Sequence, residues 1–111
     1  MRSYIVNTQP VKVSINRKTF TLLKADAFAQ AEIMQFLAET GKLNISSPKD
    51  VETVLRTGCD LIDSLLGSGA CLEIWGNTPV SLGHMLPLLV KICKDCREAY
   101  VNYLKEEYME G

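Results

Sequence analysis

The chain has 111 residues, a formal net charge of -1 from 12 Lys and Arg against 13 Asp and Glu, and 47% hydrophobic residues. That length suits one domain with one modest core, spanning 1-111, and the composition excludes an intrinsically disordered chain. A near-neutral balance with scattered cations argues against the basic stripe of a nucleic-acid binder, and the longest apolar run, Met85 to Val90, is broken by Pro87 and too short to span a bilayer.

Val11-Lys12-Val13-Ser14-Ile15 alternates apolar and polar, the period of a half-buried strand. Asn16-Arg17-Lys18 reads as a turn, and Thr19-Phe20-Thr21-Leu22 alternates again with strand-favouring residues, so a β-hairpin is predicted over about 11-23. A lone hairpin is marginal in water and must pack on something or pair with another chain. The helical part follows over about 25-109. Asp26 opens an alanine-rich helix, AFAQAEIMQFLAET, in which Phe28, Ala31, Ile33, Met34, Leu37 and Ala38 are read as one broad apolar face and Gly41 as the C-cap. Lys42 to Ser47 is a loop. Ser47-Pro48 with Asp50 and Glu52 is an N-cap, a first-position proline and an acidic first turn. From there Val51, Val54, Leu55, Gly58, Ile62, Leu65 and Leu66 trace a helical stripe that Gly67 ends, its cap calling for a positive φ. Ala70 to Trp75 is a short helix closed by Gly76. Asn77-Thr78-Pro79 signals a new start, and a last helix runs from about Ser81 to Tyr108. Its stripe is Leu82, Met85, Leu86, Leu89, Ile92, Cys93, Cys96, Tyr100, Tyr103 and Leu104, with a kink or delayed start expected at Pro87. The predicted fold is mainly α: a small N-terminal β-hairpin, then three main helices and one short helix.

The start, MRSYIVNTQP, has no apolar h-region, so no signal peptide is read and a cytoplasmic protein with reduced cysteines is expected. Cys93-Lys94-Asp95-Cys96 is a C-x-x-C that Cys59, Cys71 and His84 could complete as a zinc site, but the spacing lacks a second such pair. Cys93 and Cys96 also fall on the apolar stripe, where free cysteine acts as a small hydrophobe. A redox C-x-x-C would need a preceding strand and a βαβ context. His84, with Ser81 and Asp60 or Asp63, forms a trio of the sort any chain of this size offers, and a helix-start histidine is the plainer reading. Gly67-Ser68-Gly69-Ala70 lacks both the P-loop pattern and the complete dinucleotide fingerprint. No catalytic, cofactor or metal residue is assigned. The remaining candidates are for partner binding. Trp75 is read as core first and interface second. Tyr100, Tyr103, Leu104 and Tyr108 lie where the last helix, roughly 40 Å long, should outrun a compact core.

Taken in order, the hairpin, KADAFAQAEIMQFLAE, the helix ending DLIDSLLGSGACLEIWGN and the long mixed-charge last helix resemble the small tail assembly chaperones of long-tailed phages and prophages of Gram-positive bacteria. The telling residues are Ile62-Asp63, Leu65-Leu66-Gly67, Gly69-Ala70 and Ile74-Trp75-Gly76, and the match runs from Phe20 to Tyr103. The resemblance implies that LLGSGACLEIWGN is a structural junction, with Gly67 stopping a helix, Gly69 and Ala70 allowing close approach, and Leu72, Ile74 and Trp75 plugging the core. It implies binding and no enzymatic activity: a cytoplasmic protein that coats the tape measure protein, helps bring tail tube subunits to it, and is absent from the finished particle. Self-association is expected too, with no nucleic-acid or membrane partner. The rivals are a prophage structural or adaptor protein retained in the virion, and a small metal-binding or enzymatic protein using Cys93, Cys96 and His84.

Overall fold

A computed structural model describes residues 10–43 and 46–108, without the side chains of Tyr103 and residues 105–108. Strands β1 (Lys12–Ile15) and β2 (Lys18–Thr21) pair antiparallel, with Val13 opposite Phe20 and Ile15 opposite Lys18. The turn between them is two residues, Asn16 and Arg17, at φ 51° and 67°. Two consecutive positive φ values give the type I′ geometry whose twist matches the strands. The predicted alternation holds: Val13, Ile15, Phe20 and Leu22 are buried, and Lys12, Ser14 and Thr21 face out. The Leu22 N–H extends the ladder to Val11 O at 2.8 Å, and the Leu23 N–H donates to Leu65 O at 2.8 Å, tying the sheet to the helices.

Four helices follow: α1 (Asp26–Thr40), α2 (Pro48–Leu66), α3 (Ala70–Trp75) and α4 (Leu82–Tyr108). The structure is therefore mainly α with an N-terminal hairpin, as predicted. In α2 the stripe is where the sequence places it, with Val54, Gly58, Ile62, Leu65 and Leu66 buried. In α4, Met85, Leu89, Ile92 and Cys96 are fully buried. That helix starts at Leu82, capped by Ser81, whose Oγ accepts the Gly83 N–H at 3.1 Å. Its start is thus not delayed to Pro87, which sits within it on the exposed side, where water can reach the Gly83 carbonyl that the ring leaves unbonded.

Helices α1 and α4 pack antiparallel. Asp26 lies near Cys96 at one end, while Phe36 and Met85 both crowd Gly58 of α2 at the other. A Cβ on Gly58 would stand 3.2 Å from the Phe36 ring and closer still to the Met85 sulfur, so glycine is what lets the three helices meet.

Two expectations about packing need correction. The buried face of α1 is Ala29, Ile33, Phe36 and Thr40, with Leu37 half-buried; Phe28, Ala31, Met34 and Ala38 face outward. The reason is that α1 is apolar on both sides, so apolarity alone does not select a face. Gly41 is the C-cap of α1, as predicted, in ordinary helical geometry at φ -63°. Leu72 points away from the core at 69% exposure, and Ala70 and Cys71 fill the junction in its place.

The junction itself is built as a reversal. Gly67 adopts φ 122°, ψ 151° and Gly69 φ 84°, ψ 2°, both in positive-φ territory that side chains resist. The Gly67 angle fits the predicted positive φ, in an extended rather than left-handed form. The turn folds α3 back so that Asp63 Oδ1 accepts the Cys71 N–H at 2.8 Å, one of the orphan donors at the start of α3. It also pairs Cys59 with Cys71 as a disulfide across a Cα–Cα distance of 5.5 Å. The expectation of four reduced thiols followed from compartment, which carries no information about which cysteines the fold brings together. Among the described residues, no helix is long and apolar enough to cross a membrane.

Candidate functional site

Where the hairpin turn, α3 and the start of α4 converge, they enclose an open groove of about 590 Å³. Ile15 and Asn16 come from the hairpin, Ile74 and Trp75 from α3, and His84, Pro87, Leu88 and Lys91 from α4. Two contacts hold α3 against the hairpin. Asn16 Nδ2 donates to Ile74 O at 3.2 Å, and Lys18 Nζ lies 3.5 Å from Glu73 Oε1. The second is exposed and adds little. The groove is an apolar trough of isoleucine, leucine, proline and tryptophan, rimmed by the polar groups of Asn16, Thr78, His84 and Lys91. Its form suits an apolar segment of a partner. Trp75 is half-buried: it packs against the core and also lines the groove.

The other partner-binding candidates lie elsewhere. Beyond Cys96, α4 continues to Tyr108, roughly 18 Å at 1.5 Å per residue. Alongside that stretch Pro10, Val11 and Lys12 approach, across a shallow depression shared with Asp95, Glu98, Ala99 and Asn102. Tyr100 is 48% exposed and Leu104 39%, with Val101 exposed between them. The side chains of Tyr103 and Tyr108 lie outside the described residues. Tyr100 is about 13 Å of helix rise past Lys91, so Trp75 and the distal tyrosine do not form one site.

The sequence's candidate chemistries are dispersed. His84 is nine residues before Cys93 on one helix, about 13 Å, whereas ligands to one zinc lie about 2 Å from it. Among the described residues no three His, Cys, Asp or Glu side chains converge as a metal site would require. Cys93 and Cys96 are free, and burial, with Cys93, Asp26 and Asp95 nearby, pushes the Cys96 thiol up to about 11. A thiol held so far above its ordinary value stays protonated and unreactive at neutral pH. The trio around His84 does not assemble either. Ser81 Oγ caps α4, Asp63 caps α3, and Asp60 lines a separate depression between α1 and α2 with Glu32 and Glu39.

Sequence reasoning missed Ile15, Asn16, Leu88 and Lys91 as neighbours of Trp75. They come from separate elements, and no local pattern links them. Compared with known proteins, the chain matches no family model, no curated sequence and no solved structure.

Proposed function

We propose that this chain is a tail assembly chaperone of the kind made by long-tailed phages and prophages, acting in the host cytoplasm. Its partner is the tape measure protein, held soluble while tail tube subunits are brought to it. The observation that carries this reading is the distal third of α4. It keeps Tyr100, Val101 and Leu104 exposed on a helix that extends past the buried core, in a molecule measuring 61 Å by 28 Å by 18 Å. An exposed apolar helix end is suited to lie along another helix and cover its apolar face. Arg97, Glu98 and Asn102, interleaved with these residues, keep the end hydrated until a partner arrives. The groove under Trp75 offers a second, smaller holdfast.

The test is co-expression with the cognate tape measure protein. Wild-type chain is expected to keep that protein in the soluble fraction, and the Tyr100→Asp, Leu104→Asp double variant is expected to lose this effect while staying helical and monodisperse. Equal protection by the double variant would remove α4 from the reading. A wild type that never protects would end the chaperone reading itself.

A further inference from the structure

Helix α3 is the least secured wall of the groove under Trp75. It is six residues long, too short to hold its shape alone. Exposed glycines with positive φ flank it, Gly69 at 84° and Gly76 at 59°, and a Cβ added at either would meet nothing within 4 Å. Both ends therefore have room to pivot. Little apolar surface holds the helix down. Ala70 and Cys71 are buried, Leu72 and Glu73 face water, and Ile74 and Trp75 are half-buried along the groove. Its polar ties to other elements, among the described residues, are the Cys71 N–H on Asp63 Oδ1, Asn16 Nδ2 on Ile74 O, and the exposed Lys18–Glu73 pair. The last two face water, which competes for them. Against these stands one covalent tie, the Cys59–Cys71 bond, which joins the first turn of α3 to α2.

We propose that this bond is a redox latch on the groove. Intact, it holds α3 against α2 with Ile74 and Trp75 in the groove wall. Reduced, it frees α3 to swing on its flanking glycines, and that wall is lost. The reductant is a small dithiol. Cys59 is half-exposed and Cys71 only 6% exposed, so the attacking thiolate reaches the Cys59 sulfur. Attack breaks the S–S bond, forms a mixed disulfide on Cys59 and expels Cys71 as a thiolate, which takes a proton. The reductant's second thiolate then displaces Cys59, which is protonated in turn. Two electrons and two protons pass to the protein, and the dithiol leaves as its own cyclic disulfide. Cys93 and Cys96 on α4 are free thiols in the latched state and take no part. The latch does not rest on the chaperone reading, because it sets the shape of the groove whatever the groove binds.

Trp75 is the only tryptophan, so its fluorescence reports on α3 directly. The test compares the oxidised chain with the chain reduced by dithiothreitol. Alkylation and mass spectrometry fix the thiol state, and circular dichroism shows that the long helices persist. Reduction is expected to move Trp75 emission to the red and to raise its acrylamide quenching constant roughly twofold, as local release of one element would. Amide hydrogen exchange should quicken over residues 70–76 and stay unchanged in the middle of α2 and α4. Cys59→Ser with Cys71→Ser should behave as the reduced chain in either buffer, and Cys93→Ala with Cys96→Ala should respond as wild type. Identical emission and quenching in the oxidised and reduced chains overturns the proposal. So does finding four free thiols in the chain purified without reductant, a response to dithiothreitol that survives in the Cys59→Ser, Cys71→Ser variant, or a reduction that melts all the helices together.

Discussion

Helices α1 and α2 lie side by side, and their sequences treat burial in opposite ways. In α2 the charged and hydroxyl residues Glu52, Thr53, Arg56, Thr57, Asp60 and Ser64 all face out, and the aliphatic residues face in. Its orientation is legible in the residues alone, because only one side can lose its water without cost. In α1 no such segregation exists. Alanine, methionine and phenylalanine surround the helix, and its charges sit near its two ends and at Glu32. The decision is made by shape, with Ile33 and Phe36 filling the space against α4 and α2 and the flatter Ala27, Ala31, Ala38 side turned out. A helix with two apolar faces thus conceals its inner side in the sequence.

The sharpest way to break this comparison is to truncate two neighbours in α1. Ile33 is fully buried and Met34 largely exposed. Ile33→Ala should cost about 2–5 kcal/mol and Met34→Ala within about 0.5 kcal/mol, measured by urea unfolding at concentrations where the chain is monomeric. Comparable losses at the two sites would mean that α1 is rotated from the orientation described.

A covalent difference separates the helices as well. Through Cys59 and Cys71, α2 is bound to α3 across a sequence separation of 12 residues, whereas α1 contains no cysteine. Closing a loop of that length is worth roughly 3 kcal/mol on the chain-entropy account. Oxidised protein should therefore unfold at higher urea than reduced protein, and Cys59→Ser should abolish the gap. Mass spectrometry after alkylation should find Cys59 and Cys71 blocked and Cys93 and Cys96 free. An identical midpoint with and without reductant would show that the pair contributes nothing.

The point where both helices touch α4 gives the next test. Gly58 has no room for a side chain against Phe36 and the sealed thioether of Met85. Gly58→Val should destabilise by about 1–3 kcal/mol through overpacking, although valine is no worse a helix former than glycine. If the variant is as stable as wild type, the three helices do not meet as closely as described.

How much of this was legible depended on range along the chain. The hairpin, the start of α2 at Pro48 and the stop at Gly67 are written in residues within a few positions of one another, and all stand where the sequence put them. The inner face of α1, the Cys59–Cys71 pair and the groove joining Asn16 to Trp75 and Lys91 depend on elements far apart in sequence. The distal end of α4 was legible in part: its overhang followed from length alone, but its separation from Trp75 did not. Gly67→Val probes the legible kind. At φ 122° a branched side chain is strained, so a loss of roughly 1 kcal/mol or more is expected in thermal unfolding, and an unchanged melting temperature would show that the junction can relax.

The smallest effect is expected in the hairpin, and it has the opposite sign. Arg17 occupies the second position of the type I′ turn at φ 67°, is exposed, and is not glycine. The left-handed region raises the energy of any residue with a Cβ, and this turn type favours Asn-Gly, of which only the asparagine is present. Arg17→Gly relieves the strain in the folded chain while adding freedom to the unfolded one, so the two effects partly offset. Because Asn16 already holds its place by donating to Ile74 O, the turn is anchored and the relief of strain should prevail. A net gain of roughly 0.5 kcal/mol is expected, read as a small rise in the urea midpoint with the slope unchanged. A clear loss would mean that Arg17 makes a contact worth more than the strain it bears, and the two-residue turn would then owe its geometry to that contact.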